Sequence, residues 1–283
     1  MPTNDEIKAA QASLWGAAAR AWHDLNDELE RHSGPVNRWL CEAAGLQPGM
    51  SVLDLACGAG QPADRAAAMV APGGRVIATD IAPEMVEATR QRAKALGLDN
   101  LESRLMDMET LDFPDESFDA ITCRWGFMFP PDVARAASEA RRVLKKGGRL
   151  ATATWDKRDL NAWLGISAFE RHLDPLLPPP TLDPNAPSPL RFTDSGFLAQ
   201  LFLDAGFSDV SVESLGFAFD FPTAEDWWEF VTGLNGPLTS RLRRLNVEQM
   251  MGVRTRVIGE IEAMGSGAGL SLSAACLCVA ATK

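Results

Sequence analysis

The stretch that decides the fold is Val52-Leu-Asp-Leu-Ala-Cys-Gly-Ala-Gly-Gln-Pro-Ala63, followed one helix later by Val76-Ile-Ala-Thr-Asp80. An apolar run breaks at a glycine turn, a helix begins, and a second apolar run ends in a carboxylate. This is the pattern of a β-turn-α-β unit that holds a nucleoside at the carboxyl ends of two parallel strands. Gly58, Gly60 and Ala63 satisfy G-x-G-x-x-A, a pattern shared with dinucleotide sites, and Asp80 lies near the offset of ~20 residues used to grip a ribose. Asp54 points elsewhere. A carboxylate just before the turn repels a pyrophosphate and suits an ammonium or sulfonium group, because opposite charges attract at short range. No Lys or Arg lies between Met50 and Asp64 to neutralise a phosphate. As purely structural residues, Asp54 would tie down the turn and Asp80 would end a strand.

Composition narrows the field further. A chain of 283 residues can form one large α/β domain with caps. A net charge of -11 argues against a broad phosphate-binding surface, so nucleic acid is not expected as a partner. Arg141, Arg142, Lys145 and Lys146 are a candidate basic groove, and they read better as cations in the last turn of a helix. Cysteines at 41, 57, 123, 276 and 278 contain no C-x-x-C pair, so neither a disulfide framework nor a metal site is expected. The polar, acidic amino terminus is unlike a signal peptide, and no apolar run reaches the ~20 residues that span a bilayer. The expectation is a cytoplasmic protein without membrane insertion. The chain has no tyrosine. A phenol therefore cannot act as acid or base, which removes the short-chain dehydrogenases that depend on one.

Along the chain, residues 4–30 read as a helix carrying Trp15 and Trp22, broken by Gly34-Pro35 before a second helix over 36–44. His32, next to Gly34, reads as a helix cap. Strands are expected near 51–56, 75–79, 101–106, 119–124 and 148–155, alternating with helices near 62–70, 83–96 and 131–144. Such alternation predicts a parallel sheet with helices on both faces. The rhythm fails after Trp155. A helix-bearing insert over 156–192 contains a stiff proline-rich loop from Leu177 to Pro187, then come a helix from Thr193 to Gly206, a strand over 210–219, helices over 223–263 and a final strand from Leu270. The expected organisation is a single domain with inserted caps. Its parts are a helical cover (1–45), a nucleoside-binding core (46–155), a lid insert (156–192), a core continuation (193–222), a helical cap (223–263) and the last strand (264–283).

These motifs together resemble the class I S-adenosylmethionine-dependent methyltransferases, and within them the quinone-biosynthesis type that acts on small molecules. The resemblance runs with specific motifs from about Leu46 to Trp155. It implies a Rossmann-like, doubly wound seven-stranded sheet in the order 3-2-1-4-5-7-6 with the last strand antiparallel. Val52 to Gly60 is similar to the family's first motif, which implies that Asp54, Ala56, Cys57, Gly58, Gly60 and Gln61 surround the methionine end of the cofactor. Asp80 would accept both ribose hydroxyls, with Ile81 and Met85 against the adenine. By the same resemblance Asp107 receives the adenine amino group and Met108 the ring edge. Arg124 and Trp125, at the end of the fourth strand, would touch cofactor and substrate. Trp15, Trp22, Phe129 and Trp155 join Trp125 as expected substrate-binding residues, although helical aromatic pairs also build ordinary cores.

Methyl transfer from a sulfonium needs alignment, exclusion of water and, for an oxygen nucleophile, a base. Of three histidines, His172 lies in the lid insert beside Glu170 and Asp174, and His23 follows Trp22 on the cover. Both are candidates for the base, with a surface histidine as the bland alternative. Tryptophan, phenylalanine and methionine in the inserts suit an apolar or aromatic small-molecule acceptor, methylated at O or C, with N open. Two other readings remain at this point: an NAD(P)-dependent oxidoreductase, and a catalytically silent partner subunit that binds S-adenosylmethionine. A homodimer is compatible with the sequence.

Overall fold

A computed structural model describes residues 2–179, 186–265 and 269–283. The glycine-turn unit is formed by β1 (Ser51–Leu55), α3 (Ala63–Val70) and β2 (Arg75–Asp80). It is extended by α4 (Pro83–Leu96), β3 (Leu101–Leu105), β4 (Phe118–Arg124), α5 (Val133–Val143) and β5 (Leu144–Trp155). Start and stop signals act where the residues dictate: Pro83 opens α4, Gly97 closes it at φ +65°, and the Asp132 carboxylate caps α5 by accepting the Arg135 amide. β6 (Ser208–Phe221) and β7 (Leu270–Thr282) complete a seven-stranded sheet in the order β3-β2-β1-β4-β5-β7-β6. β1 to β5 are parallel, and β7 runs antiparallel between β5 and β6. This is the topology implied by the resemblance.

The central strands are buried on both faces, so β1 and β4 read as near-continuous apolar runs. Helix α7 (Ser195–Asp204) packs on β6, while α6 (Ile166–His172), α8 (Ala224–Leu234), α9 (Gly236–Leu242) and α10 (Val247–Glu262) form the excursions around the second half of the sheet. Residues 180–185 of the expected proline-rich loop lie outside the described residues. Among the described residues no helix is long and apolar enough to cross a membrane, and no group of three or more His, Cys, Asp or Glu could hold a metal ion.

The amino-terminal helices depart from the sequence expectation. The break falls at Leu25, between α1 (Asn4–Asp24) and α2 (Asn26–Ala43), and Gly34-Pro35 lies inside α2. A proline in a helix interior costs ~3 kcal/mol. That cost is outweighed because α2 buries Leu29, Val36, Leu40 and Cys41 completely or nearly so against β4, β5 and β6. His32 is consequently a mid-helix core residue rather than a cap. Its ring packs against Phe219, Phe221 and Phe230, and its Nδ1 accepts the Asp220 amide at 3.3 Å. Burial, then the nearby Arg31 charge, hold its pKa below the usual histidine range.

Candidate active site

The carboxyl ends of β1, β2, β3 and β4 open on one cavity, with about 860 Å³ between its walls when the part open to solvent is included. Its floor is strained backbone. Ala56, just after β1, has φ +51°, and Trp125, just after β4, has φ +57°; left-handed geometry at non-glycine residues persists where packing enforces it. The enforcing contact is at Gly126, where a Cβ would fall 2.6 Å from both the Ala56 Cβ and the Cys123 Sγ. Gly58 also has φ +53°, and nothing lies within 4 Å of where its Cβ would be. A cradle open to a ligand results.

Asp80 ends β2 under this cradle. Its Oδ2 accepts the Gly58 amide at 3.0 Å and its Oδ1 accepts the Ala82 amide at 2.9 Å. Each oxygen keeps a further lone pair for a ligand. Burial raises the Asp80 pKa, and these backbone hydrogen bonds oppose the rise. Asp54 lies below the floor, completely buried, with Oδ1 accepting the Thr122 hydroxyl at 2.6 Å and Oδ2 without a hydrogen-bond partner. Desolvation pushes its carboxyl up to about 7.

Arg124, at the end of β4, is the buried cation of the cavity wall. Its Nη1 donates to Ser33 Oγ, Asn37 Oδ1 and Gln61 Oε1 at 2.9, 3.0 and 3.1 Å, all neutral acceptors. Among the described residues no carboxylate lies at ion-pair distance from it. Burial lowers its pKa to about 10, so it stays charged at neutral pH. The carboxylates of Glu30, Asp54 and Asp64 act on it from beyond ion-pair distance, and its place on a cavity wall suits an anionic ligand group.

Helix α1 covers the cavity. Lys8, Gln11, Trp15 and Trp22 form one stripe on its inner face, at helical spacings of three, four and seven. Trp15 meets Trp22 and Phe129 edge-to-face, with ring centroids 6.0 and 5.0 Å apart. Met85 is packed beneath these indoles, and Ile81 lies beside it on the wall. At the far end the Lys8 ammonium sits 2.7 Å from Asp107 and 2.5 Å from Glu109. Desolvation lowers the Lys8 pKa, but the two carboxylates outweigh it and leave the pKa above the usual lysine value.

Of the residues singled out from sequence, Ala56, Cys57, Gly58, Gln61, Asp80, Ile81, Met85, Asp107, Met108, Arg124, Trp15, Trp22 and Phe129 line this cavity. Others do not. Asp54 is sealed below it, and Gly60 faces α4, where its Cβ would meet Arg92 at 3.1 Å. Trp125 and Trp155 are stacked on each other at 4.3 Å inside the core, with the Trp125 Nε1 donating to Cys276 Sγ. The Arg124 guanidinium lies over the Trp125 ring, 4.5 Å from its centroid. Among the described residues no histidine lines the cavity. His23 is exposed on the outer side of α1, near Glu84 and Glu87, and His172 Nε2 pairs with Glu260 Oε1 at 2.6 Å on α10. Thr79, Met106, Pro130 and Pro131 line the cavity without having been singled out, as do Lys8 and Gln11. The last two were legible as companions of Trp15 on one helical stripe.

Residues 52–148 match the family described as "Methyltransferase domain". This segment is similar to that family. The demethylmenaquinone methyltransferase of Symbiobacterium thermophilum is 34% identical over 152 residues, covering 52% of this chain and 60% of that one. An uncharacterised protein of Mycobacterium tuberculosis is 34% identical over 149 residues, covering 53% and 51%. The chain thus spans about half the length of the curated relatives it matches. The solved structure of the YcgJ protein of Bacillus subtilis shares the fold, with a TM-score of 0.55 and 20% identity over 87% of this chain and 97% of that one. The fold and motifs of this chain resemble class I methyltransferases, and its sequence is similar to the quinone-biosynthesis type. S-adenosylmethionine is the cofactor that the resemblance implies. The residues present fit that group: the cradle at Gly58 is open, Asp80 keeps free lone pairs, Asp54 Oδ2 has no hydrogen-bond partner, and the Arg124 guanidinium donates to neutral acceptors, a setting that suits an amino-acid zwitterion.

Proposed function

We propose that this protein methylates a small apolar or aromatic acceptor at oxygen or carbon, nitrogen being open, with S-adenosylhomocysteine as the second product. The observation that carries this reading is the pairing of a polar cofactor floor with an aromatic cover over one cavity: Asp80, Asp107 and Arg124 below, Trp15, Trp22 and Phe129 above. S-adenosylmethionine, when bound, supplies a methyl group already activated on a sulfonium. The remaining work falls to the chain. Asp80 accepts the ribose hydroxyls, Asp107 accepts from the adenine amino group, and Ile81, Met85 and Met108 pack on the ring. Arg124 and Gln61 hold the carboxylate of the methionine end, and Asp54 attracts its ammonium through the floor. The aromatic cover excludes water from the reacting centre.

The segments 1–45, 156–192 and 223–263 are proposed as the covers that shape the acceptor side. No side chain is assigned as general base. An electron-rich carbon, or an oxygen already ionised in solution, attacks a sulfonium methyl without one. Five free, buried cysteines suit a reducing compartment, and we place the protein in the cytoplasm. A second reading has an observation in its favour: because no histidine lines the cavity, a subunit that binds S-adenosylmethionine without turnover fits the same walls. Calorimetry with S-adenosylhomocysteine on wild type and Asp80→Ala tests the common part. The substitution should weaken binding by roughly 100-fold, about the loss of two charge-assisted hydrogen bonds. Unchanged affinity overturns the ribose assignment, and a wild type that binds NADH in its place overturns the methyltransferase reading.

A further inference from the structure

The covering helix contributes more than aromatic surface. Lys8 stands between two carboxylates of the loop that follows β3. Asp107 Oδ1 accepts the Glu109 amide at 2.9 Å, which leaves Oδ2 as its free oxygen, and Lys8 Nζ lies 2.7 Å from that oxygen. The same ammonium is 2.5 Å from Glu109 Oε2, while Glu109 Oε1 accepts the Asp132 amide at 2.8 Å. The Glu109 side chain is only 3% exposed, and among the described residues Lys8 is the cation at ion-pair distance from it. Without Lys8, two carboxylates would face each other in a half-buried loop, and Asp107 is the one free to swing outward.

We infer that Lys8 is a positioning residue for the adenine end of the site, acting through Asp107. The inference rests on the reading of Asp107 as the acceptor of the adenine amino group. Lys8 neutralises the pair, fixes the direction of the Asp107 carboxylate, and leaves its remaining lone pairs to an amino donor. Because Lys8 sits on α1 with Trp15 and Trp22, docking of the cover and alignment of the base-reading carboxylate happen together. A sulfonium nucleoside with a 6-amino purine is therefore selected over its 6-oxo counterpart only while the cover is seated. The 6-oxo ring presents an acceptor where Asp107 needs a donor.

The test is calorimetry of the full chain with two probes, S-adenosylhomocysteine and S-inosylhomocysteine, on wild type, Lys8→Met and Lys8→Arg. Wild type should prefer the 6-amino ligand. Lys8→Met should weaken that ligand by about tenfold, the effect of disturbing one charged hydrogen bond, and weaken the 6-oxo ligand far less, so discrimination shrinks. Lys8→Arg, which retains the charge, should restore most of it. Equal losses for both ligands mean that Lys8 merely anchors a helix, and no loss means that it does nothing for the site; either overturns the inference. Wild type that binds neither ligand overturns the underlying cofactor reading instead. Should Lys8→Met fail to fold, Lys8→Gln, which keeps a polar donor without the charge, must show the same selective loss.

Discussion

At the carboxyl ends of β1 to β4, the chain sends Asp80, Asp107 and Arg124 to a cavity wall. Along the same edge of the sheet, β5, β6 and β7 present Trp155, Phe217, Phe219 and Cys276 to one another, continued by Trp163. The difference follows from what surrounds the strands. In the first half, short turns leave strand ends open, so polar side chains keep access to a ligand. In the second half, the excursions carrying α6 and α8 to α10 fold back over the strand ends and bury them in an aromatic cluster. One half spends its strand ends on binding and the other on stability. Substitutions should therefore separate cleanly into those that change affinity and those that change folding.

The largest expected effect belongs to the second half. Trp227 is fully buried, donates to the Trp163 carbonyl at 2.7 Å and packs where a Cβ on Gly165 would otherwise fall. Trp227→Ala should lower the free energy of unfolding by ~3–5 kcal/mol, measured by urea titration, while S-adenosylhomocysteine affinity at low temperature stays within about twofold, since Trp227 does not line the cavity. A large affinity loss in a folded variant would break the division between the halves.

In the binding half, Arg124→Met should weaken S-adenosylhomocysteine by roughly 10- to 100-fold, the scale of one lost charge-assisted contact. Methylthioadenosine, which lacks the amino-acid end, should bind wild type and variant alike. Parallel losses for both ligands would show that Arg124 supports the floor rather than receiving a carboxylate.

Asp54 gives a pH-dependent effect with a definite sign. Its folded pKa of about 7 lies above the ~3.9 of an unfolded aspartate. Between those values the folded state holds a proton that the unfolded state has released, so stability falls as pH rises through that window, by at most ~1.4 kcal/mol per pH unit. Asp54→Asn should lose this slope. Urea midpoints measured near both ends of the window check it; identical slopes in wild type and variant would mean that Asp54 does not titrate there.

The two halves also differed in how far the sequence could be read. Every expected core element from β1 to β5 appears within a few residues, since glycine and proline signals at Gly58, Pro83 and Gly97 act locally. The Gly34-Pro35 signal misled because burial of α2 against the sheet is a tertiary effect that no local pattern reports. Trp125, by the resemblance, and Trp155 are expected at the substrate, yet indoles at strand ends pack on one another when an excursion covers them. Lys8 escaped notice because a lone lysine on a helix is ordinarily a solvated residue, and only the fold brings Asp107 and Glu109 to it.

The smallest expected effect closes the division from the other side. His172 pairs with Glu260, itself held by Arg171, on the surface of the excursions. The hydrogen bonds of Arg171, against a small desolvation, then those of His172, pull the Glu260 carboxyl down to about 2. Solvent screens such a cluster, so His172→Ala should change unfolding free energy by less than ~0.5 kcal/mol. A general base, by contrast, contributes roughly 100- to 10,000-fold to rate. Methyl transfer to any acceptor that wild type turns over should therefore be unaltered in His172→Ala. A rate loss of that size with unchanged stability would assign His172 a part in the reaction, and would require α6 to reach the cavity in the liganded state.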